Sequence, residues 1–163
     1  MQCIRLIFVS FCFLITSSSH AAETSYIVSY VYDGDTVKLR NADGEVKLRL
    51  ADIDAPERNQ PYGKKSRRTL IKLCLGSNII VTTQITGTDK YNRSLGRLHC
   101  NHIDTSIYLA EHGLAWHYAQ YSSDFSIYNA ALKARKQKRG LWKSKNPMPP
   151  WAWRQSHPRR MYR

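Results

Sequence analysis

Five short segments with the composition of β-strands fall between residues 26 and 100, and they constrain the fold more than any other feature of the chain. β-Branched and aromatic residues are frequent in them, and turn sequences such as Asn41-Ala42-Asp43-Gly44 separate them. We predict strands at 26–32, 36–40, 45–53, 78–85 and 93–100. A sheet of so few short strands avoids long unpaired edges most simply by closing into a small barrel.

Helical patterns are interleaved with these strands and follow them. We predict helices at 62–75, 104–112 and 126–139, each ended by a glycine. The predicted fold class is therefore α+β, a five-stranded barrel of the oligonucleotide-binding (OB) type with three α-helices. Beyond Lys143 the chain is rich in proline and tryptophan and then basic, which predicts an ordered wrap and a loose end. We place the domain at 22–145 and the tail at 146–163.

The first 21 residues have the parts of a secretory signal peptide. Arg5 supplies the positive start, Leu6–Ile15 the apolar core, and Ser19-His20-Ala21 resembles a cleavage site. The alternative is a buried N-terminal helix, and the flanking residues favour the signal. The apolar core is too short for a membrane-spanning helix, which needs roughly 20 residues. We therefore expect a secreted or periplasmic protein, exported through a cleaved signal peptide, with no membrane anchor.

Two cysteines, Cys74 and Cys100, remain after removal of the predicted signal. In an oxidising compartment they either pair or stay as two buried thiols, and the sequence leaves both possibilities open. A zinc site is not indicated, because His99 and His102 near Cys100 lack a second ligand pair at the usual spacing.

The charge of the chain is strongly positive, with 25 Lys and Arg against 12 Asp and Glu and a net charge of +13. A polyanion is the first partner to expect, either nucleic acid or an acidic membrane surface. The apolar fraction of 42% is ordinary for a globular protein and excludes wholesale disorder.

Against this basic background, acidic residues gather in two short stretches. Five of the twelve acids lie there: Asp33, Asp35, Asp52, Asp54 and Glu57. Like charges held together need a cation or a proton, and an oxygen site of two carboxylates plus water suits Ca²⁺ or Mg²⁺. Either stretch by itself is typical of an ordinary turn. Both together, at strand ends that a barrel can bring close, favour a metal site.

Two arginines lie near these acids in the predicted fold. Arg49 precedes Ile53-Asp54 on the same predicted strand, and Arg93 follows the polar loop that begins at Asp89. Taken singly, each is typical of a surface residue. Together they could clamp one phosphate through bidentate hydrogen bonds.

The order and spacing of these residues resemble the staphylococcal (micrococcal, thermonuclease-type) nuclease family. Three motifs carry the resemblance: Asp33-Gly34-Asp35-Thr36-Val37-x-Leu39, Arg49-Leu50-x-x-Ile53-Asp54-x-Pro56-Glu57 and Asp89-Lys90-Tyr91-x-Arg93. The similarity extends from about Tyr26 to Trp142 and includes Gly113-Leu114-Ala115 and Arg139-Gly140-Leu141-Trp142.

The resemblance implies a calcium-dependent, largely sequence-nonspecific endonuclease that hydrolyses DNA and RNA at the P–O5′ bond and leaves 3′-phosphate ends. It implies Asp35, Asp54 and the backbone carbonyl of Ala55 as Ca²⁺ ligands. The catalytic set would be Arg49, Glu57 and Arg93, with Glu57 as the general base and the arginines stabilising the transition state. Substrate contacts would come from Lys90, Tyr91, Tyr118 and Tyr121.

Two positions depart from the family pattern. Asn92 stands where the family usually has glycine, and asparagine tolerates a positive φ better than most residues. Ala55 replaces a hydroxyl residue, but only its carbonyl is expected to bind metal.

Two other classes of protein compete with the nuclease interpretation. A non-catalytic, secreted OB module that only binds nucleic acid would need neither Glu57 nor the paired aspartates. A structural protein of the cell envelope would rely on the tail cations Arg154, Arg159, Arg160 and Arg163. We favour a monomeric nuclease that prefers single-stranded DNA and RNA, because aromatic residues among cations suit stacking on unpaired bases.

Overall fold

A computed structural model of the protein describes residues 24–158. The predicted signal peptide and the tail cations Arg159, Arg160 and Arg163 lie outside the described residues. Within this part of the chain, no helix has the length and apolar character needed to cross a membrane.

Eight strands and four α-helices make up the described part of the chain. The strands are β1 (Thr24–Val31), β2 (Thr36–Asn41), β3 (Gly44–Leu50), β4 (Ile53–Asp54), β5 (Val81–Thr88), β6 (Ser94–Cys100), β7 (Ile103–Asp104) and β8 (Trp116–His117). The helices are α1 (Gly63–Cys74), α2 (Thr105–Glu111), α3 (Phe125–Lys136) and α4 (Pro150–Ser156), and a 3₁₀ turn covers Gly140–Lys143.

Five of the strands close into a barrel. Strands β3, β2, β1, β5 and β6 pair in that order, all antiparallel, and a parallel pairing of β3 with β6 closes the ring. Closure places Arg49 of β3 opposite Leu95 of β6. The predicted α+β barrel with helices is confirmed. The helix count differs by one, because α4 lies in the segment that we assigned to the tail.

The barrel interior is filled by the apolar residues of the alternating strands. Leu39, Leu48 and Leu98 are fully buried, and Leu70 of α1 belongs to the same core cluster. Burying a leucine side chain of this kind stabilises the fold by about 1.5–3 kcal/mol. The core therefore extends from the interior of the barrel to the helices. It supports the strand ends that carry the polar residues.

A disulfide joins the end of α1 to the end of β6. Cys74 and Cys100 have their Cα atoms 5.3 Å apart and are separated by 26 residues in the sequence. Of the two possibilities that the sequence left open, the structure has the pairing. Closing a loop of this length stabilises a fold by about 3 kcal/mol in the chain-entropy account.

The third predicted strand ends earlier than its pattern indicates. We predicted it to reach Ile53, but β3 ends at Leu50 and Asp52 adopts a left-handed φ of 68°. The Arg49 guanidinium stabilises this bend by donating hydrogen bonds to the carbonyls of Leu50 (2.7 Å) and Ile53 (2.9 Å). After the bend, β4 leaves the barrel and pairs with β8. The bend thus turns Asp54 back towards Arg49.

Candidate active site

Arg49 lies between the two carboxylates that the sequence singled out as metal ligands. Its Nη1 is 3.3 Å from Asp35 Oδ2, and its Nη2 is 3.0 Å from Asp54 Oδ1. Asp35 and Asp54 are buried, and the Arg49 side chain is only 12% exposed. One guanidinium therefore bridges both carboxylates, which lie 19 residues apart in the sequence.

The two acidic stretches pack directly on each other. The backbone N–H of Ala55 donates to Asp35 Oδ2 at 2.6 Å, and Thr36 Oγ1 donates to Asp35 Oδ1 at 3.0 Å. Gly34 permits this approach, because a Cβ there would lie 2.7 Å from Ala55 Cβ and 2.3 Å from Ser66 Oγ. The glycine between Asp33 and Asp35 is thus required by close packing.

Two carboxyl groups of this cluster, those of Asp33 and Asp54, have raised pKa values. Burial raises the pKa of Asp33 to about 7, and repulsion from Asp35 adds to the effect. Burial also raises the pKa of Asp54, with a further contribution from Asp35, despite opposing hydrogen bonds and charge from Arg154 and Arg49. Since both shifts come from desolvation and like charge, a bound cation would lower both pKa values.

The donors at this position fit a hard cation. In residues 24–158, no three His, Cys, Asp or Glu side chains gather into a group able to hold a metal by themselves. A cation between Asp35 and Asp54 would therefore need backbone carbonyl and water oxygens to complete its ligands. An all-oxygen set of this kind suits Ca²⁺ or Mg²⁺ and not zinc. The residues present fit the implied calcium.

Glu57 lies beside this cluster, just before α1. Its carboxylate is 26% exposed, and its backbone N–H donates to Gln60 Oε1 at 3.0 Å. A Cβ at Gly63 would lie only 1.8 Å from the Glu57 carbonyl oxygen, so the first residue of α1 packs tightly on this backbone. These contacts fix the backbone of Glu57 and involve no atom of its carboxylate.

Arg93 lies on the neighbouring strand end but is held by a different partner. The parallel pairing of Leu48 with Ser94 places it next to β3. Its Nη2 is 2.7 Å and its Nε 2.8 Å from Asp89 Oδ2, and Asp89 Oδ1 accepts from its backbone N–H. Within the described residues, no ion pair joins Arg93 to the carboxylates around Arg49. The structure thus orients Arg93 through Asp89 and does not bring it into the Arg49 cluster.

Asn92 precedes Arg93 in a left-handed conformation, with φ 58°. Its backbone N–H donates to the carbonyl of Asp89 at 3.0 Å, which closes the turn. Glycine and asparagine are the residues that adopt this region most readily. The departure from the family pattern at Asn92 is therefore compatible with the turn that presents Arg93.

The predicted substrate-contacting tyrosines lie in two groups. Tyr91 is 69% exposed, with Lys90 Nζ 5.2 Å and Arg93 Cζ 5.5 Å from its ring centroid. In the second group, the rings of the half-buried Tyr118 and the exposed Tyr121 lie 4.9 Å apart. The Tyr118 N–H donates to the Asp52 carbonyl at 2.9 Å, which ties this pair to the bend before Asp54.

Arg154 belongs to this site, although no pattern in the sequence indicates it. Its Nη2 is 2.7 Å from Asp54 Oδ2, and its Nη1 is 2.9 Å from Glu57 Oε1. Burial alone would lower the pKa of Arg154, but the hydrogen bonds to Asp54 and Glu57 raise it above its ordinary value. Its sequence context groups Arg154 with the tail cations. The only local signal was the Pro149-Pro150 pair, which is typical of a helix start.

The sequence is similar to a known protein family and to several known proteins. The family described as "Staphylococcal nuclease homologue" matches residues 47–144, which include Arg49, Asp54, Glu57 and Arg93. An uncharacterized endonuclease of Escherichia coli O157:H7 is 38% identical over 125 residues, covering 76% of this chain and 80% of that protein. An uncharacterized endonuclease of Haemophilus influenzae is 34% identical over 143 residues, covering 87% and 79%. Staphylococcal-like nuclease CAN1 of Arabidopsis thaliana is 36% identical over 112 residues, covering 68% of this chain and 33% of that protein.

Proposed function

The chain belongs to the family of staphylococcal nuclease homologues, and from this membership we propose that it is a nuclease that hydrolyses phosphodiester bonds of DNA and RNA. In the finer form of the proposal, it is a calcium-dependent endonuclease that breaks the P–O5′ bond and leaves 3′-phosphate ends. The observation that carries it is the bridging of Asp35 and Asp54 by Arg49, with Glu57 three residues further on.

Asp35, Asp54 and the backbone carbonyl of Ala55 are the groups that would hold Ca²⁺. The ion supplies Lewis-acid polarisation of a phosphoryl oxygen when it is bound. Burial of both carboxylates raises their electrostatic interaction with any charge placed between them, because less water screens it.

Glu57 is the proposed general base. Its carboxylate takes a proton from the attacking water, whose oxygen forms a bond to phosphorus as the P–O5′ bond breaks. The departing O5′ takes a proton from solvent water and leaves as a 5′-hydroxyl. A positioned base of this kind contributes about 10²–10⁴-fold to the rate. The backbone of Glu57 is fixed by Gln60 and Gly63, and its carboxylate suits this role once its ion pair with Arg154 is broken.

Arg49 and Arg93 are the proposed donors to the phosphate. Arg49 makes three hydrogen bonds to protein groups, fewer than its five N–H donors, so donors remain for a ligand. Arg93 is oriented by Asp89 and retains N–H groups in the same way. Donors aimed at charge that grows in the transition state are each worth about 10²–10³ in rate.

Charge and exposed aromatic rings favour single strands as substrate. The net charge of +13 concentrates polyanions, and binding should weaken steeply with added salt. Lys90 with Tyr91, and Tyr118 with Tyr121, offer stacking and phosphate contacts for unpaired nucleotides. We propose that the protein acts on such substrates as a monomer.

We also propose that the protein is exported. The predicted signal peptide at residues 1–21 supports export to the periplasm or the exterior. The Cys74–Cys100 disulfide is consistent with an oxidising compartment.

The decisive experiment is cleavage of single- and double-stranded DNA and RNA by the wild type and by Glu57→Gln. We expect calcium-dependent cleavage that a chelator abolishes, and fragments with 3′-phosphate ends. Glu57→Gln should keep its affinity for polynucleotide and lose at least about two orders of magnitude in rate. Binding without cleavage by the wild type in Ca²⁺ would instead identify the non-catalytic nucleic-acid-binding module.

A further inference from the structure

Residues 148–154, which we call the C-terminal cover, lie across the candidate active site. The Met148 carbonyl accepts a hydrogen bond from Gln60 Nε2 at 2.7 Å, close to the Glu57 backbone. On the following helix α4, Trp151 stacks on Tyr118, and Arg154 forms an ion pair with Asp54. The segment is therefore anchored at three points around the residues proposed for catalysis.

Arg154 takes the oxygens of Asp54 that a cation would need. Its Nη1 and Nη2 donate to Asp54 Oδ1 and Oδ2 at 3.2 and 2.7 Å, while Arg49 also donates to Oδ1. The same Nη1 lies 2.9 Å from Glu57 Oε1. The Arg154 guanidinium thus occupies the oxygens of a proposed metal ligand, Asp54, and neutralises the proposed base, Glu57.

Trp151 covers the ring face of Tyr118 on which a nucleobase would stack. Its ring lies nearly parallel to that of Tyr118, with an interplanar angle of 12° and centroids 5.5 Å apart. Its edge packs against Trp116, with centroids 5.6 Å apart. A base can stack on this face of Tyr118 only after Trp151 has moved away.

The cover is held by contacts that can be exchanged. The α4 helix has only seven residues, and the Arg154 side chain is 44% exposed. Its ion pairs would be replaced by a divalent cation on the same oxygens, and the Trp151–Tyr118 contact by a base on Tyr118. Release therefore needs no rearrangement of the barrel.

We propose that the C-terminal cover is an autoinhibitory segment, in which Arg154 competes with the metal ion and Trp151 competes with a nucleobase. The inference rests on the proposed function for the identity of the competing ligands. By linkage, anything that weakens the Arg154 contacts strengthens calcium binding, and calcium binding loosens α4.

Calcium affinity measured by calorimetry tests the competition directly. We expect Arg154→Gln to bind Ca²⁺ roughly 5- to 150-fold more tightly than the wild type, the range typical of coupling between sites. Arg154→Lys should give an intermediate gain, because lysine keeps the charge but not the bidentate geometry. The matched control is Arg40→Gln, which removes the same charge from an exposed position near the end of β2 that lies away from Asp35.

Amide hydrogen exchange over residues 150–156 provides the second measurement. Ca²⁺ should accelerate exchange there in the wild type and in Arg40→Gln, whereas Arg154→Gln should exchange fast without the ion. Equal calcium affinity in Arg154→Gln and wild type, or unchanged exchange of α4 on calcium binding, would overturn the proposal.

Cleavage assays on the same proteins separate this inference from the proposed function. Tighter calcium binding by Arg154→Gln with no cleavage by any variant would overturn the nuclease proposal and support the cover. Cleavage by the wild type, with Arg154→Gln slower at saturating Ca²⁺ and unchanged in calcium affinity, would make Arg154 a catalytic residue and overturn the cover.

Discussion

The backbone N–H of Ala55 donates to the Asp35 carboxylate at 2.6 Å, so a loop between the first two strands is joined to a segment 20 residues further along the chain. Through this hydrogen bond, the backbone next to the proposed ligand Asp54 orients the other proposed ligand, Asp35. The relative position of the two carboxylates therefore depends on how closely the two segments approach, and Gly34 permits that approach.

Replacement of Gly34 by alanine should impair the site. The new Cβ would lie 2.7 Å from Ala55 Cβ, so the two acidic segments must move apart. We expect the rate of cleavage to fall about tenfold or more, because displacements of about 1 Å at a catalytic site cost up to 10²-fold. The free energy of unfolding should fall by about 1–3 kcal/mol.

Gly87→Ala is the matched control for this prediction. A Cβ at Gly87 would meet no atom within 4 Å. Equal cleavage rates for Gly34→Ala and Gly87→Ala would show that the packing of Gly34 on Ala55 does not position the carboxylates.

Removal of the disulfide should destabilise the fold without changing the chemistry. Cys74→Ala combined with Cys100→Ala opens a link between residues 26 apart, and we expect a loss of about 3 kcal/mol in urea unfolding. Reduction of the wild type should reproduce the loss. A double variant as stable as the oxidised wild type would contradict the prediction.

The left-handed turn before Arg93 should tolerate glycine but not a β-branched residue. Asn92→Gly keeps a residue suited to φ 58°, and we expect the stability to change by less than about 0.5 kcal/mol. Asn92→Val should cost about 1–3 kcal/mol and reduce cleavage, because the turn must distort or shift Arg93. Equal stability and activity of these two variants would argue against a role for this turn in presenting Arg93.

Asp124 should make the protein sensitive to acid. Its carboxylate contacts the Arg97 guanidinium, and this contact lowers the pKa of Asp124 below its ordinary value. A lowered pKa in the folded state contributes stability above the unfolded value of 3.8, and that contribution is lost as the pH falls through the folded value.

Asp124→Asn tests this contribution. The Asp124 carboxylate also caps α3 by accepting from the N–H groups of Ser126 and Ile127, and asparagine can keep this cap. We expect the variant to be about 1 kcal/mol less stable at pH 7. The difference should shrink below pH 4, as measured by urea unfolding across pH. A difference that stays constant down to pH 2 would contradict the assignment.

Local pattern was enough to locate most of the secondary structure. The predicted strand at 36–40 corresponds to β2 at Thr36–Asn41, and the predicted helix at 104–112 to α2 at Thr105–Glu111. The side chain of Asp104 caps α2 by accepting from Ile107 N–H at 3.0 Å. Alternation, turn residues and caps act over a few neighbouring residues, so they can be recognised without the fold.

The bend after β3 shows where local pattern fails. The alternation of Glu45–Ile53 predicts one strand, whereas the structure ends it at Leu50. The bend depends on hydrogen bonds from Arg49 to the carbonyls on both sides of it and on the pairing of β4 with β8. Contacts between segments more than 60 residues apart leave no trace in the periodicity of either one.

The amino-acid sequence is enough to indicate the family, the barrel with its helices and the residues that could form an acidic site. Only the fold establishes that Cys74 pairs with Cys100, that Arg49 bridges Asp35 and Asp54, and that Asp89 holds Arg93. The fold also establishes that Arg154 reaches Asp54 across 100 residues of chain. Propensity and patterning act locally, whereas ion pairs and disulfides depend on distances that are set only when the barrel closes and α4 packs against it.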